Sequence, residues 1–290
     1  MVTTPQNIYA QFQDETASIT PFAQSKMGLK AGQTLVKLDT YNIVCVPYRL
    51  SMSGAVLIAS FSKDELSFFQ KYVNGLTGLT LVFQPGNSQT PMKIFARCFL
   101  KSVSAMKGRE SIGLIEVAFK PCPPDLLSIL GDYFMLLDRI KVEFEDYKGK
   151  LIPINPDTAK VMGYNNYCHL TLDGTQHKVA LFAIASDLLN FLVPLNGPVL
   201  EIGKPVQVKL FFQSFQFVVS GSIKDVNRLP NGVQKVQAAI VFSMELVSII
   251  ENFRFAERLV LKDGAHASPA PGPATASPAA KLHGSAGQGS

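Results

Sequence analysis

The sequence predicts a mainly β protein: two strand-rich units in tandem, each closed by a C-terminal helix, and then a disordered tail. Three observations predict it. The first is an internal repeat. Phe99–Val103 matches Ser222–Val226 and Val117–Phe119 matches Ile240–Phe242, both 123 residues apart, while Ser128–Leu130 matches Ser248–Ile250 at 120. So long a period describes a pair of domains and not a solenoid. The second is composition: 47% hydrophobic and 17% charged residues, 20 phenylalanines and no tryptophan suit strand cores of Phe, Val, Ile and Leu. The third is the collapse after Lys262 into Ala, Pro, Gly and Ser, which cannot bury enough apolar surface to offset the entropy of ordering.

Taken in order, residues 1–25 form a polar N-terminal extension with a short helix around Ile8–Gln13. Val36, Leu38 and Ile43–Val46 supply apolar strand positions between turn residues. Tyr48–Ser60, reading Y-R-L-S-M-S-G-A-V-L-I-A-S, is a polar turn feeding a buried strand at Ala55–Ala59. Gly54 in that turn suits either a positive φ or a close approach of two backbones. Ser62 predicts a helix N-cap ahead of Asp64 and Glu65, with Leu66, Phe68, Phe69 and Tyr72 as the apolar set. Strands follow at Thr80–Phe83, Lys93–Val103 and Ile112–Phe119. Pro123 and Pro124 open a helix over Asp125–Arg139, with Leu126, Leu127, Leu130, Phe134 and Leu137 at helical spacing. The second unit reads as strands at Lys141–Glu145, Leu151–Pro153, Tyr167–Leu172, Lys178–Ala183, Gly203–Phe212, Phe217–Val226 and Val233–Phe242. A helix over Met244–Arg258 ends it. The expected domains are 26–140 and 141–262, with the tail at 263–290.

Length and charge bound the function. A chain of 290 residues holds about two domains. A net charge of +5 permits an anionic partner but is far below that of a nucleic-acid coat. Phe211, Phe212, Phe215 and Phe217 have few Lys or Arg beside them in sequence, which argues against single-strand nucleic-acid binding. No run of 18 apolar residues predicts a membrane span, and the N-terminus lacks the basic and apolar regions of a secretory signal. Cys45, Cys98, Cys122 and Cys168 are scattered, with no metal or disulfide spacing, so a reducing cytoplasm is expected. No catalytic constellation stands out. His169 and His177 lack a partner at ligand or triad spacing, and there is no phosphate-binding glycine loop. Glu143 and Glu145 alternate as on one face of an edge strand. No enzyme class, metal or cofactor is implied.

A polar S-x-x-G turn, an apolar strand, a G-x-x-V-x-L strand, a strand ending K-x-V, a strand ending in Phe and a C-terminal helix together resemble the PilZ domain. That resemblance covers residues 26–140 and, more faintly, 141–260. It implies small six-stranded β-barrels in tandem that read cyclic di-GMP through an R-x-x-x-R segment and a D/N-x-S-x-x-G turn. In the first unit Ser51 and Gly54 match the turn, and Arg49 stands where the family has an acid or amide. Lys26 and Lys30 have the spacing of the arginine pair but lack the planar guanidinium fork. In the second unit Ser186 falls at the motif serine, with Ile184 and Leu189 replacing the acid and the glycine. A true R-x-x-x-R stands at Arg254 and Arg258. The resemblance implies a place for it beside the first unit's site; arginines in a last helical turn also complement the helix dipole. The implied function is a non-enzymatic bacterial signalling protein that binds cyclic di-GMP and passes the signal on by contact with motility or envelope machinery. The rival is a degenerate scaffold that no longer binds the nucleotide and acts through protein contacts.

Overall fold

The structure, a computed structural model, describes residues 5–265 apart from 85, 87–89 and 214. The chain runs α1 (Pro5–Phe12), β1 (Thr16–Ser18), α2 (Pro21–Met27), β2 (Thr34–Leu38), β3 (Tyr41–Ser51), β4 (Gly54–Ser60), α3 (Lys63–Lys71), β5 (Leu76–Phe83), β6 (Met92–Met106), β7 (Arg109–Phe119) and α4 (Pro124–Asp146). The second half continues with β8 (Ile152–Pro153), α5 (Pro156–Met162), β9 (Tyr164–Leu172), β10 (Thr175–Ile184), β11 (Leu188–Val193), β12 (Pro205–Phe212), β13 (Gln216–Arg228), β14 (Gln234–Ile240) and α6 (Met244–Ala265).

Each half is a closed six-stranded antiparallel barrel followed by a helix. In the first, the order β2-β5-β6-β7-β4-β3 closes where β3 pairs back onto β2, and β1 extends the far end of β3. In the second, β11-β14-β13-β12-β9-β10 closes through β10 and β11, and β8 extends β10 as β1 extends β3. Closure removes the free strand edges on which sheets aggregate. Strict alternation drives it: β2 is buried at every second residue and β12 nearly so, so each strand turns one apolar row inward. Pro47 is tolerated inside β3 because it sits at a register shift against β4. The repeat matches β6 to β13, β7 to β14 and α4 to α6.

Ser62 caps α3 with its side chain accepting from the Glu65 amide at 3.2 Å, and Glu65 reciprocates on the Ser62 amide at 2.7 Å. The structure departs from the sequence reading at several places. Lys141–Glu145, expected as a strand, is the last part of α4. Ile140 and Phe144 continue the helical stripe of Tyr133 and Leu137, and that spacing overrides the local alternation. Glu143 and Glu145 are therefore helical and do not share a strand face. Residues 188–193, where the sequence reading assigns no strand, form β11, which is buried on both sides and so carries no alternation. The tail expected from 263 begins inside α6, which runs to Ala265; residues 266–290 lie outside the described residues.

The long α4 serves both units. Leu126, Leu130 and Phe134 belong to the core of the first barrel, where Phe134 meets Phe12 of α1 at 5.5 Å. Ile140 is buried further along, and Phe144 stands edge-on to Phe242 of the second unit at 5.2 Å.

Candidate functional site

Two clefts collect five of the residues singled out in the sequence: Arg49, Ser51 and Gly54 in one, Arg254 and Arg258 in the other. The first, about 410 Å³, opens on the outer face of the first barrel beside the β3–β4 turn and is lined by Arg49, Ser51, Gly54, Lys101 and Glu116 among others. Its turn is held from within. The Ser51 hydroxyl accepts from the Gly54 amide at 3.1 Å and from the Ser53 amide at 3.3 Å. Arg49 lies on the strand and not in the turn, with its guanidinium 5.2 Å from the Tyr48 ring centre. Glu116, which accepts from Ser102 at 3.1 Å, sets a negative charge among the cations. Gly54 is not in the left-handed region; a side chain there would meet the Val117 carbonyl oxygen at 2.2 Å, so its role is close approach of β4 to β7.

Lys26 and Lys30 do not line this cleft. Lys26 lies in the last turn of α2 with its ammonium 5.2 Å from the Phe22 ring centre, and Lys30 donates its backbone N–H to the Val82 carbonyl at 2.8 Å. Arg254 and Arg258 are also elsewhere, in a second and larger cleft of about 790 Å³ between the segment after α4, α5 and α6. They converge there with Lys150 and Tyr147. Arg254 donates to Glu257 at 3.0 Å, and Arg258 is exposed. The Tyr147 hydroxyl is held above its ordinary value, by burial first and then by the Glu143 charge. Arg258 and Arg254 pull the other way, which puts both guanidiniums within electrical reach of the ring. Lys150 and Tyr147 were missed in the sequence because they join the arginines only through the fold.

Residues 4–137 match the family model described as the PilZN3 domain. That match assigns the first unit to the PilZ family. Among solved structures, PlzA of Borreliella burgdorferi in complex with c-di-GMP is similar at 17% identity, over 86% of this chain and 97% of that one, with a TM-score of 0.43. YcgR of Escherichia coli in complex with c-di-GMP is similar at 9% identity, over 91% and 94%, with a TM-score of 0.30. MrkH of K. pneumonia in its apo state is similar at 10% identity, over 91% and 95%, also at 0.30. No curated protein matches the chain.

The Ser51–Gly54 turn has a counterpart in the second barrel, and it is closed over. Ser186 is fully buried, and its hydroxyl donates to the Phe144 carbonyl at 2.8 Å. Asp187 beside it accepts from the Gly149 amide at 2.8 Å. The carbonyls of a helix's last turn lack intrahelical donors. At the end of α4 the Lys148 amide turns to Glu145, and Ser186 supplies the donor for Phe144. This PilZ-like turn thus works as a joint to the shared helix. Among the described residues no helix is long and apolar enough to cross a membrane, and no group of three metal-ligating side chains converges.

Proposed function

We propose that this PilZ-family chain is a non-enzymatic signalling module of the bacterial cytoplasm that binds cyclic di-GMP and answers by altered contact with a protein partner of the motility or envelope machinery. The observation that carries the reading is the convergence of Lys150, Arg254 and Arg258 on Tyr147 in a cleft of about 790 Å³. Its size lies within the range of small-molecule sites. A cyclic dinucleotide offers two phosphodiester anions to the guanidinium forks and two purine faces to Tyr147. The cleft borders α4 and α6, so a ligand there would bias how the two units sit against each other. The PilZ turn at Arg49, Ser51 and Gly54 is the other candidate locus, with Lys26 and Lys30 as more distant charge.

The degenerate-scaffold reading has an observation of its own. The hydroxyls of Ser51 and Ser186 are both engaged by backbone groups of the protein. Calorimetric titration with cyclic di-GMP separates the readings. Saturable binding that Arg254→Ala/Arg258→Ala removes and Arg49→Ala retains is the expected result. Loss with Arg49→Ala alone would move the ligand to the first barrel. No heat at high ligand concentration would leave the scaffold.

A further inference from the structure

On the outer wall of the second barrel, neighbouring strands interleave aromatic rings with ammonium groups. Tyr167 and His169 on β9 meet Phe211 on β12, with ring centres 4.9 and 5.1 Å from that of Phe211. Lys178 on β10 lies 4.7 Å from the Tyr167 ring centre, and Lys209 on β12 lies 5.3 Å from that of Phe211. His169 pairs with Lys209 on one side and Lys178 on the other. The rings are half-buried, so their lower edges are fixed by the sheet and their outer parts face solvent. The surface continues around the barrel. Beside Tyr167 and Lys178 lies a groove of about 360 Å³ floored by Ala180, Leu192 and Val233. Leu192 then pairs with Lys235 on β14, whose ammonium is 4.8 Å from the Phe182 ring centre. From β12 to β14 the track crosses four strand intervals, about 19 Å in all.

Charge decides what fits this track. Strands β9, β10, β11, β12 and β14 contain no aspartate or glutamate, while Lys178, Lys209 and Lys235 each stand over a ring; the acid beside the track is Asp225 of β13, in the cleft that holds Lys235 and Phe182. An apolar protein partner has no use for a cation on each aromatic. A polyanion with flat apolar bases uses both: the ammonium moves to a phosphate, and the ring face it leaves receives a base. We infer that this wall is a docking track for single-stranded nucleic acid, with Tyr167 and Phe211 as stacking platforms and Lys178, Lys209 and Lys235 on the phosphates. In sequence only Lys209 stands near its ring, two residues before Phe211; Lys178 and Lys235 reach Tyr167 and Phe182 from other strands.

The test is fluorescence anisotropy of labelled twelve-nucleotide oligo-dT and oligo-U with the full chain. The expected result is saturable binding in the range of about 1–100 µM, with a duplex of equal length bound less well. Tyr167→Ala and Phe211→Ala should each weaken it about tenfold, and Tyr167→Phe should restore it because the ring face is kept. Lys178→Ala/Lys209→Ala should reduce the slope of log affinity against log salt by about 1.4, two phosphates at about 0.7 each. Circular dichroism of each variant separates lost binding from lost fold. No anisotropy change up to about 100 µM would overturn the inference. So would binding that folded Tyr167→Ala and Phe211→Ala variants retain, or a labelled acidic polypeptide that binds where the oligonucleotides do not.

Discussion

Gly54→Ala is the substitution for which the structure gives the most direct magnitude. The added methyl would sit 2.2 Å from the Val117 carbonyl oxygen, 3.2 Å from its carbon and 3.3 Å from the Ala118 Cα. All three are backbone atoms of β7, so no side chain can swing aside. Relief to 3.0 Å requires β4 and β7 to part by about 0.8 Å. The nearby bond from the Phe119 amide to the Ser53 carbonyl, now 2.8 Å, would stretch to about 3.6 Å, where little of it is left. One or two ladder bonds at about 1 kcal/mol each, with an overpacking strain of about 1–3 kcal/mol, give a loss of about 2–5 kcal/mol. At roughly 4 °C per kcal/mol this lowers the melting temperature of the first barrel by roughly 8–20 °C. Gly32→Ala is the control, because nothing lies within 4 Å of a methyl there. Differential scanning calorimetry, with hydrogen exchange to locate the loss in β4 and β7, is the assay. If Gly54→Ala melts within a degree or two of Gly32→Ala, the close approach to Val117 is not what fixes glycine at this position.

Three further outcomes are expected. Ser186→Ala should cost about 1–2 kcal/mol by leaving the Phe144 carbonyl without its donor, and should speed proteolysis near residues 147–150; unchanged melting and cleavage would refute the joint. Glu143 faces Glu251 across α4 and α6, with Arg139 at 3.6 Å from the first and 3.5 Å from the second. Burial first, and then the Glu251 charge, hold the Glu143 carboxyl above its ordinary value, against Arg139. The folded state therefore binds the proton more tightly than the unfolded one, and stability falls as pH rises from the unfolded value through the folded one. Glu143→Gln should match the parent in acid and gain about 1 kcal/mol by neutral pH, read from thermal melts across pH; a gain confined to acid would refute it. Burial pushes the thiols of Cys45, Cys98, Cys122 and Cys168 up to about 12, so Ellman's reagent should leave all four unreacted in the native protein and titrate them after denaturation.

Much of the architecture was legible because it rests on local chemistry. The Ser62–Glu65 box and the Pro123–Pro124 entry announce α3 and α4 wherever they are read. The repeat survives in β6, β7 and α4 because those strands and that helix face the core in both units. Two short helices could have been found by the same signals. Thr20-Pro21 and Asn155-Pro156 each cap and open a helix that ends on a left-handed glycine, Gly28 and Gly163, both at φ 70. What sequence alone does not carry is placement across the chain. Arg254 meets Lys150, and Lys178 meets Tyr167, only because α6 returns to the end of α4 and β10 folds back on β9.

The two motif serines make the same point about function. Each occupies the turn that leads into the third strand of its barrel, and each has its hydroxyl engaged by the backbone. Ser51 ties the amides of its own turn, and Ser186 ties the end of α4. A hydroxyl already committed to a buried or half-buried backbone group gains little by exchanging that bond for one to a ligand, since the backbone group would then be left unpaired. Ser51→Ala therefore reports on the rigidity of a turn, while charge reversal at Arg254 and Arg258 reports on an anion. A ligand that depends on the arginines and is indifferent to the serine would mark a barrel protein whose recognition has moved from the turn to the cleft between α6 and the end of α4.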